Sequence, residues 1–326
     1  MIQLPDPARA QADLSIVIVN WNTRDMLRDV LNSVYSGLGA LKTEVWVVDN
    51  ASDDDSVEMV THDFPQVYLI TNTENRGFAA ANNQALRLAR ARHHLLLNSD
   101  TLVHGNVLSA SVAFLDDNPK VAVMGCRVLN TDGSLQITCS RFPTLLNLAL
   151  LTSGLWRIPG PAFFDRYQMT RWARRDTREV DVVSGCYMLV RDKAMQEVGI
   201  LDEQFFFYGE ETDWCRRFQN AGWSLMFAPV GEITHFGGGS VKKLNHKRDV
   251  MLTSATVRLH RRHFGFWGAV FCWLLLAAFN LSRALYWSFA QLFWKNAATR
   301  AKHFRRVLID FGQTWPDNVS VRGCDL

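Results

Sequence analysis

Several short clusters in this chain carry side chains able to do chemistry. Asn98-Ser99-Asp100 comes directly after Leu95-Leu96-Leu97, where an apolar strand gives way to turn-forming residues. A carboxylate there suits a hard cation, since Mg²⁺ is commonly held by one or two carboxylates plus substrate phosphates. Asp49 follows Val45-Trp46-Val47-Val48 in the same way. One acid at a strand end can accept a hydrogen bond from a base N–H or a ribose hydroxyl. Glu210, Glu211 and Asp213 open a helical stretch after Phe205-Phe206-Phe207-Tyr208. They read either as ordinary partners of a helix dipole or, given an apolar flank that raises a carboxylate pKa, as a general base. His235 precedes Gly237-Gly238-Gly239-Ser240, whose backbone can approach a phosphate closely. Arg76-Gly77 at a helix start suits an anion. Gly185 inside an apolar strand points to close approach of a ligand or of backbone.

These residues need elements to position them. Leu14–Asn20 is a β-branched run that reads as a buried strand ending in Asn20-Trp21-Asn22. Asn22 or Thr23 can cap the helix that follows, in which Met26, Leu27, Val30, Leu31, Val34, Tyr35 and Leu38 recur at helical spacing. Further strands are expected at 45–48, 67–70 and 95–97, with a helix over 79–92. Alternating strand and helix predicts a parallel sheet with helical crossovers, and ligands bind at the carboxyl ends of such strands. Beyond it, strands are expected at 120–125, 180–191 and 223–227, with a hairpin turn at Asn130-Thr131-Asp132-Gly133. The stretch 142–179 has prolines 143, 159 and 161 and a basic cluster at Arg171, Arg174, Arg175 and Arg178. It reads as a long irregular loop.

The composition bounds the answer. A chain of 326 residues with 48% hydrophobic content holds one large domain or two small ones. The net charge is +3, its basic residues crowded toward the C-terminus, and nothing in the pattern calls for a nucleic-acid partner. Six cysteines with no C-x-x-C predict reduced thiols in a cytosolic setting. The first thirteen residues hold Asp6, Asp13 and two prolines and predict no signal peptide. Asn50-Ala51-Ser52 fits a glycosylation sequon but is discounted in a cytosolic chain. No G-x-G-x-x-G follows the first strand, which argues against a dinucleotide dehydrogenase, and no G-x-x-x-x-G-K-[ST] occurs.

The run from Phe264 to Ser282 carries no charge and just reaches the length of a membrane helix. Arg258, Arg261, Arg262 and His263 precede it. Lys295, Arg300, Lys302, Arg305 and Arg306 follow. Basic flanks on both sides conflict with a single crossing and favour a monotopic or re-entrant segment on anionic lipid. A buried helical pair or a homo-oligomer interface is the alternative.

In order along the chain, Ile16-Val-Ile-Val-Asn20-Trp-Asn22, Val47-Val-Asp49-Asn-Ala-Ser, Asn75-Arg76-Gly77-Phe-Ala with Asn82, Leu-Leu-Asn98-Ser-Asp100, Gly209-Glu210-Glu211-Thr-Asp213 and His235-Phe-Gly-Gly-Gly-Ser resemble the inverting family 2 glycosyltransferases. The likeness is greatest to their bacterial rhamnosyltransferase-like branch and covers about residues 14–265. It implies an α/β GT-A fold, an open mixed sheet flanked by helices, over 1–263, with 264–326 a hydrophobic, basic helical tail. It also implies a nucleoside-diphosphate-sugar site built from Asn20, Asn22, Asp49, Arg76, Gly77, Asn82, Asn98, Asp100 and Gly185. Asp49 would recognise the base. Asn98-Ser99-Asp100 would stand for the family's D-x-D, with Asp100 its carboxylate on Mg²⁺ or Mn²⁺ and His235 reaching the metal or the diphosphate. Glu211 occupies the catalytic base position, with Glu210 and Asp213 as fallbacks; the family has Asp where Glu211 stands. The donor would be a nucleoside-diphosphate sugar such as dTDP-rhamnose. The acceptor would be a lipid-linked or cell-surface glycan at the cytoplasmic face of a bacterial inner membrane. Gln168-Met-Thr-Arg171-Trp172 fits the Q-x-x-R-W signature of processive synthases, yet it precedes the base motif instead of following it, which favours transfer of one sugar. A sugar-nucleotide nucleotidyltransferase would want a Gly-rich, basic loop after the first strand. A catalytically inactive sugar-nucleotide-binding scaffold is the remaining alternative.

Overall fold

The computed structural model describes residues 11–158, 160–237, 244–294 and 296–316. The glycine-rich turn beyond Gly237, Pro159 and Lys295 therefore lie outside the described residues. In chain order the elements are β1 (Ala12–Asn20), α1 (Arg24–Gly37), β2 (Thr43–Asp49), α2 (Ser56–Asp63), β3 (Tyr68–Thr71), α3 (Phe78–Leu86), β4 (Ala91–Asn98) and β5 (Thr101–Val103). There follow α4 (Val107–Asp117), β6 (Val121–Leu129), β7 (Cys139–Ser140), α5 (Leu145–Ser153), β8 (Arg178–Glu179), β9 (Val182–Val183), β10 (Tyr187–Arg191), α6 (Asp192–Val198), α7 (Glu210–Asn220), β11 (Ser224–His235), α8 (His246–Ala290) and α9 (Ala297–Ile309). By contacts the chain divides into two units. The first takes residues up to 141, 170–206 and 210–238; the second takes 142–169, 207–209 and 239–326.

The first unit is built on a nine-stranded sheet ordered β3-β2-β1-β4-β10-β6-β11-β5, with β8 paired to β11. β1 is parallel to β2 on one side and to β4 on the other, with Ile16 opposite both Val45 and Leu95. β10 runs antiparallel to β4, so the sheet is mixed and open. Ile16, Val17 and Ile18 are all buried, because helices cover both faces of a central parallel strand. On one face Leu14, Ile16 and Ile18 share a core with Leu27, Val30, Leu31 and Val34 of α1. Each such side chain contributes roughly 1.5–3 kcal/mol of burial. α3, whose buried residues include Ala79, Ala81 and Ala85, lies against β1 and β2.

Local expectations fail where tertiary pairing overrides pattern. The helix expected over 79–92 ends at Leu86, because Ala91 and Arg92 already belong to β4 alongside β1. The strand expected over 180–191 is two strands, with Ser184-Gly185-Cys186 between them. β11 continues past Phe227 to His235 by way of an irregularity between Phe227 and Glu232. The cap expected from Asn22 or Thr23 is not made; Asp54 accepts the Arg24 N–H at 2.8 Å instead.

The stretch 142–179, of which 142–169 belong to the second unit and 170–179 to the first, is not wholly irregular. α5 is capped by Thr144, whose hydroxyl accepts from the Asn147 N–H, and ends at Gly154 in the left-handed region. α8 is long and apolar enough to cross a membrane by length and composition. It is not one rod, however: Gly265 leaves helical geometry at φ 71, ψ −168. The single boundary expected at 263/264 lies within this helix. Val257 before the break packs in one cluster with Ala269 and Cys272 after it and with Leu148 of α5.

Candidate active site

The chain runs from β1 to β2 to β3 in one direction and then returns to set β4 on the other side of β1. In open α/β sheets a ligand crevice forms outside the strands' carboxyl ends at such a reversal. Asn20 stands opposite Asp49 and Val19 opposite Asn98, so three predicted site residues end neighbouring strands.

Asp49 is buried and held from both sides. Its Oδ1 accepts from Asn20 Nδ2 at 3.0 Å and its Oδ2 from the Ser52 N–H at 3.0 Å. Asn20 Oδ1 accepts the Thr23 hydroxyl at 2.7 Å, and Thr23 Oγ1 lies 2.8 Å from Ser99 Oγ. Because the Thr23 proton goes to Asn20, Ser99 is the donor to Thr23. A directed relay thus runs from the Asn98-Ser99-Asp100 turn to Asp49. Asn22, at φ 53, binds the next loop: its N–H donates to Ser52 Oγ and its Oδ1 accepts from the Asp53 N–H.

The corner at Arg76 and Gly77 differs from an open anion seat. The Arg76 N–H donates to Asn50 Oδ1, the Gly77 N–H to Asn75 Oδ1 and the Phe78 N–H to the Phe206 carbonyl. Protein oxygens already use the donors that would face an anion, while the Arg76 side chain is exposed. Gly77 has φ +79, and a Cβ there would sit 2.3 Å from the Phe206 carbonyl oxygen. A Cβ on Gly185 would meet the Phe78 ring at 3.2 Å. The close approach expected at Gly185 is therefore made by this ring. Asn82 is buried and donates to the Phe78 carbonyl at 2.8 Å.

β5 and β11 pair with His235 opposite Thr101, which brings His235 to Asp100. His235 Nε2 lies 3.2 Å from Asp100 Oδ1 and 3.3 Å from Asn98 Nδ2. His235 Nδ1 lies 2.6 Å from Gln136 Oε1, and Gln136 Nε2 donates to Asn130 Oδ1 at 2.9 Å. That second bond orients the glutamine amide, so its oxygen takes the Nδ1 proton and Nε2 keeps its lone pair. The Nε2 lone pair accepts from Asn98 Nδ2, and an imidazole nitrogen and a carboxylate oxygen 3.2 Å apart are ligand types that a divalent cation takes. Diphosphate oxygens and water would fill its other positions. Among the described residues no three His, Cys, Asp or Glu side chains are grouped so as to hold a metal ion. Gln136 was missed from the sequence; its only signal is the hairpin turn at 130–134 that returns it beside β6.

α7 presents the acidic cluster. Asp213 is fully buried and ion-paired to Arg217 at 2.8 Å; Arg217 also donates to the carbonyls of Val198 and Ile200. Its carboxylate thus ties α7 to the end of α6. Glu210 is buried. Glu211 Oε2 has no hydrogen-bond partner, and burial pushes the Glu211 carboxyl above the usual carboxylate range. Burial of this kind is what suits a carboxyl group to take up a proton near neutral pH.

In an open mixed sheet, a carboxylate–imidazole pair beside the strand reversal stands where such sheets bind their ligands. The family model described as Glycosyl transferase family 2 matches residues 15–199, more than half of the chain, and the chain belongs to that family. N-acetylglucosaminyl-diphospho-decaprenol L-rhamnosyltransferase of Mycobacterium tuberculosis (strain ATCC 25618 / H37Rv) is 25% identical over 295 residues, covering 82% of this chain and 91% of that protein. Low-salt glycan biosynthesis hexosyltransferase Agl10 of Haloferax volcanii is 25% identical over 228 residues, covering 68% and 67%. Among solved structures, the mannosyltransferase PcManGT from Pyrobaculum calidifontis, in complex with GDP-Man and Mn²⁺, superposes with a TM-score of 0.56 at 16% identity. That match covers 99% of this chain and 91% of that one. GalNAc-T7 with UDP, GalNAc and Mn²⁺ gives 0.56 at 15% identity, covering 94% and 57%. The structural matches bear on the fold alone, which is GT-A. The chain is a glycosyltransferase.

Proposed function

We propose that this glycosyltransferase moves one sugar from a nucleoside diphosphate to a lipid-linked glycan acceptor with inversion, at the cytoplasmic face of a membrane. The observation that carries the reading is the Asp100–His235 pair, its tautomer set by Gln136, beside Asp49 at the switch point of the sheet. Asp49, held by Asn20 and Ser52, takes the base; Arg76 stands at the neighbouring corner. Asp100 and His235 are the residues that would hold Mg²⁺ or Mn²⁺, and such an ion would neutralise charge on the departing diphosphate. Glu211 removes the acceptor hydroxyl proton as that oxygen attacks C1 from the face opposite the diphosphate. One displacement inverts the anomeric centre. The rhamnosyltransferase relative supports a lipid diphosphate acceptor and a deoxyhexose donor.

The test is a panel of nucleoside-diphosphate sugars offered to purified protein with and without Mn²⁺, with product configuration read by NMR. Transfer with inversion from one donor, lost with EDTA and in Asp100→Ala, is expected. Donor binding without turnover on any acceptor, or transfer that ignores EDTA, would overturn the reading.

A further inference from the structure

Asp249 and Phe279 belong to one helical run, yet Asp249 pairs with His303 at 2.9 Å while Phe279 packs edge-on against the adjacent Phe304. A straight helix would hold positions 249 and 279 about 45 Å apart. The break at Gly265 therefore folds α8 back on itself, and α9 packs against both arms. Trp273, on the second arm, donates to Thr314 at 3.0 Å, and Arg258, on the first, donates to the Pro316 carbonyl.

This folding sorts the faces of the second arm. The face turned into the bundle carries small and polar groups: Gly268, Ala269, Cys272, Asn280 and Ala284 are buried. The opposite face carries Trp267, Phe271, Leu274, Leu281, Leu285 and Phe289, spaced at three, four or seven residues and exposed by 50–67%. This stripe is about 33 Å long at 1.5 Å per residue. Leu292, Phe293 and Trp294, exposed by 58–72%, extend it. A soluble monomer rarely leaves so long an apolar ridge in water.

We infer that this ridge lies in the plane of an anionic lipid surface, with the second arm of α8 half-immersed and parallel to the membrane, not crossing it. Charge picks lipid as the occupant. α9 has no acidic residue, and its Arg300, Lys302, Arg305 and Arg306 are all exposed. Arg300 stacks over Trp287 of the second arm at 4.5 Å, and Arg305 donates to Ser288. Cations beside an apolar ridge suit anionic headgroups above acyl chains. The same packing excludes a crossing: α9 and its cations would have to enter the hydrocarbon with the arm they are bound to. Tryptophans at both ends, Trp267 and Trp294, suit the headgroup boundary. This goes beyond the lipid-linked acceptor proposed above and does not depend on the donor site.

The test uses the full chain and vesicles of phosphatidylcholine with or without phosphatidylglycerol. The full chain is expected to float with the anionic vesicles. Leu281→Asp with Leu285→Asp, both at exposed positions, should keep the circular dichroism melt and lose flotation at least tenfold. Lys302→Glu with Arg306→Glu should lose only the preference for phosphatidylglycerol. In vesicles, Arg262→Cys and Lys302→Cys should both react with a membrane-impermeant maleimide from one side. Failure of the full chain to float overturns the inference, as does labelling from opposite sides, which means a crossing. A non-floating dimer dissociated by the leucine substitutions also overturns it, assigning the ridge to a second copy.

Discussion

Gln136 Oε1 lies 2.6 Å from His235 Nδ1, and through that contact a residue outside every recognisable motif sets which imidazole nitrogen faces Asp100. Outer partners of metal-binding histidines typically change metal affinity by about 10–100-fold. Gln136→Leu should weaken Mn²⁺ binding in the presence of nucleoside diphosphate by that amount, measured by calorimetry, while the fold persists. Gln136→Glu keeps an acceptor at Nδ1 and should retain affinity. Equal loss in both variants would mean that Gln136 supports only the loop.

Thr23 joins the two halves of the proposed donor site. Thr23→Val removes the group that donates to Asn20 and accepts from Ser99, so two partners lose a bond. A buried group left unsatisfied costs about 1–3 kcal/mol. The expected result is a several-fold rise in donor KM, with kcat nearly unchanged and a modest drop in Tm. A fall in kcat at constant KM would place Thr23 in the chemical step instead.

The strand-end residues were legible because their signals are local. Apolar runs that stop at Asn20, Asp49 and Asn98 place those residues on one edge once the sheet is parallel. What was not legible is pairing across distance. Nothing near Gln136 announces His235, ninety-nine positions away. Glycine at 77 read as a seat for an anion and glycine at 185 as close approach of a ligand or of backbone, whereas Phe206 and Phe78 stand at those positions. In the tail, composition showed an apolar helix with basic flanks. Only the break at Gly265 shows which of its faces is covered.

Asp213 should behave as structure, not as catalyst. Its carboxylate is fully buried against Arg217, and removing one member of a buried ion pair costs about 3–5 kcal/mol. Asp213→Asn should lower the urea midpoint accordingly. The protein that remains folded at low temperature should retain donor affinity and most of its turnover. A variant of full stability with turnover reduced a thousandfold would reverse the assignment and make Asp213 the base.

Gly77→Ala tests the packing at the start of α3. The backbone there, φ 79 and ψ 172, lies in a region that only glycine visits readily, at about 1–3 kcal/mol for other residues. The added Cβ would also meet the Phe206 carbonyl. Destabilisation of at least that size is expected in denaturant melts; a neutral result would show that the Phe206 segment yields easily.

Glu211→Gln should separate binding from chemistry. The amide keeps the shape and cannot take a proton, so donor affinity should hold while kcat falls by roughly 10²–10⁴-fold. Burial raises the Glu211 pKa, so the acidic limb of the rate profile should lie above 4.5, the ordinary value for a glutamate. Stability should carry the opposite sign. Between pH 4.5 and the raised pKa the folded state holds a proton that the unfolded chain has released, so stability falls as pH rises through that window. Above it the penalty is complete. Glu211→Gln has no charge to bury and should therefore melt higher than the parent at neutral pH, with the difference vanishing below about pH 4. A variant that loses turnover yet shows no gain in Tm at neutral pH would mean that the carboxylate is not desolvated in the folded protein. If Glu210→Gln alone reproduces both signatures, the base is Glu210.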